Sequence, residues 1–439
     1  MAQRTTIEWT ESAWNPVRGC ARVSEGCRNC YAEEMAARFS GPGQWGHGLA
    51  GWVTRPDGTK EPRWTGLLRR APDDTVFAPL KWKRPRLIFV NSTSDLFHES
   101  VPDAVIDEVF AVMALTPQHV YQVLTKRPER MRDYLCDDSI GNIADKACQV
   151  WAENRAPDGG KGFLYQHWRG NGEADIELTE WPLPNVWLGV SVEDQPAADT
   201  RIPSLLATPA AVRFVSAEPL LGPVDLQPWL DWPESRCLPV PRDDVSFGCE
   251  GCDDECADCP TKSAVYTCDV GPKVTDGSPE YVHDIRHTLD WVICGGESGK
   301  AARPMHPQWA RDLRDQCKAA RVAFFFKQWG AWKPVADSEV PETFRSPECA
   351  QFRVVSSCGY VGDLSIGSAF MHKPARYPGC FPNGPDGDAI CETVFMRNVG
   401  KHKAGRHLDG VLHGGMPAIP DRSPIVAGDK GSGRRVGRV

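Results

Sequence analysis

The chain has 439 residues, a formal net charge of −8, 41% hydrophobic and 25% charged residues, and a mean hydropathy of −0.40. This suits a soluble globular protein with room for one large α/β domain plus insertions, or for two domains. No stretch approaches the roughly 18 apolar residues of a membrane span. The acidic balance argues against broad nonspecific nucleic-acid binding while leaving room for a local basic groove.

The start, "MAQRTTIEWTESAWNP", has no apolar h-region, so a cytoplasmic protein without a secretory signal is expected. Seventeen cysteines are many for a reducing compartment, where clustered thiols more often bind metal or catalyse than pair. The first group lies in "GCARVSEGCRNCYAEEMAARF" (19–39), where Cys20, Cys27 and Cys30 have C-x6-C-x2-C spacing before a helix-like run. Three thiolates on one loop do not close a tetrahedral zinc site, and no histidine lies close in sequence. A [4Fe–4S] cluster is held by three cysteines with one iron left open to a ligand. Zinc with a distant fourth ligand and plain core cysteines are the other two readings.

Six short apolar runs follow, each ending in polar residues: "RLIFVNSTSD" (86–95), "VYQVLTKRPER" (120–130), "VWLGVSVED" (186–194), "VRFVSAEPLLGP" (212–223), "DWVICGGESG" (290–299) and "VAFFFKQWG" (322–330). They are rich in Val, Ile, Leu and Phe without alternation, as expected of strands buried on both faces of a parallel sheet. Helices are expected between them. Val105, Ile106, Val109, Phe110 and Met113 keep a helical period after Pro102, and Trp309, Leu313 and Cys317 form a second stripe. Cys317 therefore reads as core. Repeated strand–turn–helix units imply a β/α barrel, a partial barrel or a doubly wound sheet, with chemistry at the carboxyl ends of the strands.

Residues 134–182, 226–288 and 333–394 interrupt this rhythm and read as insertions, the last irregular, while 421–439 reads as a disordered basic tail. The middle insertion carries "CEGCDDECADC", with Cys249, Cys252, Cys256 and Cys259 flanked by Cys237 and Cys268. Two C-x2-C pairs signal a metal, and zinc or a second iron–sulfur cluster fits equally. "GGESGK" is not a phosphate loop, because Cys294 stands where that pattern requires glycine. At the strand ends, Lys126, Arg127 and Arg130 in "LTKRPERM" and Lys327, Gln328 and Trp329 in "FFFKQWG" offer cations and an aromatic for a nucleotide or anionic substrate. A solvated charge cluster and a packed Trp is the alternative.

Several long motifs carry a resemblance: "TTIEWTESAWNPVRGCARVSEGCRNCYAEEMAARF", "IFVNSTSDLFHESVPD", "VLTKRPERM", "LPNVWLGVSVEDQ", "RFVSAEPLLGPVDL", "DWVICGGESGKAARPMHPQWARDLRDQC", "FFFKQWGAW" and the late "NVGKHKAGRHLDG" (398–410). Together they resemble the phage-type family of unknown function associated with three-Cys-motif partner proteins. The resemblance covers most of residues 5–332 apart from the insertions and resumes in a closing segment at about 395–420.

That family is regarded as radical S-adenosylmethionine-like. The resemblance thus implies a partial (β/α) barrel over 1–332, a [4Fe–4S] cluster on Cys20, Cys27 and Cys30, and S-adenosylmethionine as cofactor. The usual pattern is C-x3-C-x2-C with an aromatic before the last cysteine, whereas here the spacing is longer and Tyr31 follows Cys30. By strand-end position, Ser92, Ser94 and Asp95 are expected at the cofactor's methionine amino group, Ser191 and Glu193 at its ribose hydroxyls, and Gly295 and Gly296 where backbone approaches it closely. Tyr31 is grouped with these, and Lys126, Glu218, Glu297 and Lys327 are the candidate catalytic residues.

The implied chemistry is one-electron cleavage of the cofactor to a radical that abstracts hydrogen, which requires an external electron donor. A nucleobase or nucleic acid is the expected substrate class, and a three-Cys-motif protein the expected partner. The opposing expectation is a non-catalytic iron–sulfur or zinc protein that binds nucleic acid or a partner protein.

Overall fold

All six apolar runs become strands, and a seventh precedes them. The strands are β1 (Ser12–Trp14), β2 (Leu87–Val90), β3 (Val120–Thr125), β4 (Val186–Ser191), β5 (Val212–Ala217), β6 (Trp291–Gly295) and β7 (Ala323–Gln328). They lie side by side in chain order, and every neighbouring pair is parallel. The sheet curls into a half barrel, a partial β/α barrel open between β1 and β7. In this computed structural model the described residues are 5–136, 139–154, 162–168, 174–230, 239–240, 248–249, 288–340, 351–359, 361–363 and 393–418. None of their helices is long and apolar enough to cross a membrane.

The helices that matter to the site are α1 (Tyr31–Arg38), α2 (Asp103–Ala114), α3 (Pro128–Cys136), α4 (Ser139–Asn154), α5 (Gln195–Leu206) and α6 (Pro307–Ala319). Both expected stripes face the core: Ile106, Val109, Phe110 and Met113 on α2 are buried and Val105 partly so, and Trp309, Leu313 and Cys317 on α6 are buried. Successive strand residues point to opposite faces, and the cores divide accordingly. Ile88, Val90, Tyr121, Val123, Leu188, Val190, Val215, Val292 and Phe326 pack with the helices. Leu87, Val120, Trp187, Val212, Phe214, Trp291, Ile293 and Phe325 point the other way, into the concavity, and close it with Trp9. Trp291 is the centre of that plug: Trp9, Trp187, Phe214 and Phe325 surround it at ring distances of 5.6 to 6.3 Å.

Two stretches expected to interrupt the rhythm contain regular structure. Within 134–182, α4 packs on α2, next to a hairpin of Leu164–Trp168 and Ala174–Leu178. At and beyond 333, β8 (Trp332–Pro334), β9 (Phe352–Ser356), β10 (Val361–Asp363) and β11 (Thr393–Asn398) form an antiparallel sheet in the order β8-β11-β9-β10. The closing segment then runs along β7: Phe326 N donates to His413 O at 3.1 Å and Gly415 N to Phe324 O at 3.0 Å. This pairing satisfies backbone groups that an open sheet edge would leave bare. In the cysteine-rich insertion, Cys249 lies on a two-residue strand, Gly248–Cys249, paired antiparallel with Pro239–Val240. Cys237, Cys252, Cys256, Cys259 and Cys268 lie outside the described residues.

Candidate functional site: the cysteine loop over the barrel mouth

The inward period of two continues past the carboxyl end of each strand. Beyond Leu124, Ser191, Ser216, Ile293 and Phe325 the next inward positions are Lys126, Glu193, Glu218, Gly295 with Glu297, and Lys327. The strands thus deliver a charged ring above an aromatic plug. Three clusters make up the ring. Glu193, almost fully buried, receives Lys126 Nζ at 3.3 Å and Arg201 Nη1 at 2.7 Å. Lys327 Nζ spans both oxygens of Glu218 at 2.7 and 2.8 Å, and Gln328 Nε2 adds a bond at 3.2 Å. Glu297 accepts from Arg303 at 2.7 and 2.9 Å.

The cysteine loop is fastened to this ring at two points. Ser24 Oγ donates to Glu193, and Asn29 Nδ2 donates to Glu297 at 3.0 Å. Arg303 adds a bond from Nη2 to the Glu25 carbonyl at 2.9 Å. Close approach is allowed by Gly26: a Cβ there would stand 2.8 Å from Glu193 Oε1 and 3.3 Å from Lys126 Nζ. From its other side the loop is braced by buried Glu33, which takes Arg22 Nε at 2.8 Å and Trp64 N at 2.7 Å. Trp64 belongs to a hairpin (Ala50–Thr54 with Lys60–Trp64) packed on α1.

Burial pushes the Glu193 carboxyl up, but Lys126, Arg201 and the Ser24 hydroxyl outweigh that and hold it at about 2. The thiols move the other way. Cys20 is raised to about 12, by burial first and then by Asp95 and Cys30 against the pull of Arg127. Cys30 is raised by burial, with a further push from Cys27. A thiol whose pKa is raised in this way, as at Cys20 and Cys30, stays protonated until a metal displaces the proton. Among the described residues, no three His, Cys, Asp or Glu side chains are gathered to hold a single metal ion. The donor set fits an iron–sulfur cluster in kind, since cluster thiolates sit on separate irons.

Other expected site residues serve the frame. Asp95 spends its carboxylate on Phe97 N, Thr125 Oγ1, Lys126 N and Arg127 Nη1 at 2.7 to 3.1 Å. Ser92 Oγ donates to Asn15 and Ser94 Oγ to the Val17 carbonyl. Ser191 is buried, and its carbonyl receives Arg201 at 2.7 Å. Arg127 also pairs with Glu99, and Arg130 clamps the carbonyls of His98, Glu99 and Val101. Trp329 is packed rather than presented for stacking; its indole donates to His407 O at 2.9 Å. Gly295 lies against the Glu218–Lys327 pair, and the room at Gly296 is filled by the Trp329 carbonyl. Tyr31 is 65% exposed at the start of α1.

Ser24, Asn29, Arg201 and Arg303 were not singled out in the sequence. Arg201 lies mid-helix and Arg303 in a loop, positions that read as solvated charge. The available signal was in the carboxylates: Glu193 and Glu297 at inward positions each require a cation.

A parallel half barrel whose carboxyl-end mouth carries a charged ring under a three-cysteine loop defines an α/β protein of the partial-barrel class. More particularly, the chain belongs to the family described as protein of unknown function (DUF5131), which it matches over residues 4–417. No curated protein and no solved structure matches it.

Proposed function

We propose that this protein is an iron–sulfur, S-adenosylmethionine-dependent radical enzyme that modifies or repairs a nucleobase or nucleic acid. The observation that carries the reading is the fastening of the cysteine loop across the barrel mouth by Ser24–Glu193 and Asn29–Glu297. Cys20, Cys27 and Cys30 are the proposed ligands. Bound there, the cluster and S-adenosylmethionine would supply one-electron cleavage of the sulfonium C–S bond and hydrogen abstraction, with an external protein furnishing the electron.

The chain's own residues bind and orient. Glu193, ionised at any working pH, keeps Lys126 and the loop in register. The Glu218–Lys327 pair is the proposed seat of proton transfer, because its carboxylate and ammonium stand within one hydrogen bond. Cys249, Cys252, Cys256 and Cys259 are proposed to hold zinc or a second cluster, and a three-Cys-motif protein is the proposed partner. One observation favours a non-catalytic metal-binding protein instead: Glu193, Glu218 and Glu297 are all neutralised by cations of the chain itself.

The test is anaerobic reconstitution with iron and sulfide, followed by reductant and S-adenosylmethionine. Formation of 5′-deoxyadenosine is expected, together with loss of the brown cluster absorbance in Cys30→Ala. An intact cluster without 5′-deoxyadenosine selects the non-catalytic reading, and full iron retention in Cys30→Ala removes that residue as a ligand.

A further inference from the structure

Residues 47–70, between α1 and β2, carry Arg55, Lys60, Arg63, Arg69 and Arg70 against only Asp57 and Glu61, in a chain of net charge −8. Arg69 and Arg70 pair with Val17–Arg18 in a short antiparallel ladder that places Arg18 directly opposite Arg69. Like charges facing each other across a ladder repel. Such pairs are usually relieved by carboxylates, and the neighbour shows how: Arg70 is taken up by Glu108 at 2.6 and 2.8 Å and by Asp73 at 2.7 Å. Arg18 is half-buried, yet among the described residues it meets neither a carboxylate nor a hydrogen-bond acceptor. Arg69 is exposed and gives one bond, to the His47 carbonyl at 3.3 Å. Two adjacent guanidinium forks with donors to spare complement phosphate oxygens.

The pair stands beside the site. Arg18 precedes Cys20 by two residues, and Gly19 between them bridges to Ser94 at the end of β2. The same excursion carries the hairpin on α1, where Trp52 and Val53 are 46% and 48% exposed. An indole left half in water is a stacking platform for an unstacked base, which a single strand provides and a duplex does not.

We propose that Arg18, Arg69 and Trp52 form a binding surface for single-stranded nucleic acid beside the cysteine loop, the guanidinium pair holding backbone phosphate and the indole stacking on a base. This rests on the nucleic-acid part of the function proposed above and says where the strand is held.

The test is fluorescence anisotropy on the full-length, cluster-reconstituted protein without S-adenosylmethionine or reductant. The probes are a fluorescein-labelled single-stranded DNA, an RNA of the same sequence and the corresponding DNA duplex, each across a salt series. Single strands are expected to bind more tightly than duplex, and the DNA and RNA arms identify the preferred backbone. The double variant Arg18→Gln/Arg69→Gln should weaken binding and reduce the salt slope by about 1.4, while Arg18→Lys/Arg69→Lys restores much of that slope. Trp52→Ala should weaken binding about tenfold without changing the slope. Arg69→Gln alone, at an exposed position, keeps the measurement open if the double variant does not fold. Wild-type affinity in these variants, or duplex bound as tightly as single strand, overturns the proposal. Strand binding without 5′-deoxyadenosine formation leaves this surface standing and removes the radical-enzyme reading; turnover without strand binding does the reverse.

Discussion

The same strands build two unlike layers inside the half barrel. At the floor, Trp187, Phe214, Trp291 and Phe325 with Trp9 exclude water and hold the sheet's curvature. At the mouth, inward positions further along β3 to β7 hold Lys126, Glu193, Glu218, Glu297 and Lys327. Burial of aromatic area stabilises the fold, whereas partly buried ion pairs contribute little net stability, because desolvation offsets much of their attraction. Placement of such a ring at the carboxyl end, where sites lie in barrels, is what the proposed binding role rests on.

Substitutions at each layer put that contrast at risk. Trp291→Ala empties the centre of the plug and removes the indole bond to Gly415 O, so unfolding free energy should fall by about 3–5 kcal/mol in urea titration. A loss no larger than that of Lys327→Met, which cuts a mouth ion pair at its cation, would break the comparison. Glu193→Gln should cost about 3 kcal/mol, since it strands Arg201 and Lys126 without their carboxylate. The same variant changes the acid limb. Glu193 is held at about 2 against an ordinary 4.5; its contribution is complete above the ordinary value and is lost as pH falls toward the lower one. Stability measured across that window should therefore fall less steeply in Glu193→Gln than in the wild type.

Lys327→Met tests the opposite side of the contrast. It removes one half-buried ion pair with Glu218 and should cost only about 1–2 kcal/mol, while 5′-deoxyadenosine formation drops at least about tenfold. The smallest effect is expected for Gly26→Ala, whose methyl would press on Glu193 and Lys126. Stability should change by about 1 kcal/mol, yet iron bound per chain, measured by colorimetric assay, should fall as the loop lifts from the mouth.

Strand ends were legible because apolar runs buried on both faces stop where the chain meets the mouth, and the residue two beyond the last inward side chain points the same way. Lys126, Glu193, Glu218, Glu297 and Lys327 were singled out at those strand ends, and the structure places all five at the mouth. β1 escaped because three residues, Ser12–Trp14, are too few to show a period. Asp95 had the right chemistry at the right strand end, but Thr125 and Arg127 take its acceptors, and a strand end alone does not distinguish a free carboxylate from a saturated one.

By itself the sequence determined where six of the seven strands lie, the apolar faces of α2 and α6, and the presence of three cysteines on one loop, since each depends on local spacing; that the strands stand side by side in chain order was decided by the tertiary structure. Only the tertiary structure decided which charges answer one another. Ser24 and Glu193 lie 169 positions apart, and Asn29 and Glu297 lie 268 apart. A buried carboxylate requires a donor nearby in space and is indifferent to where that donor stands along the chain, so spacing carries no record of the match.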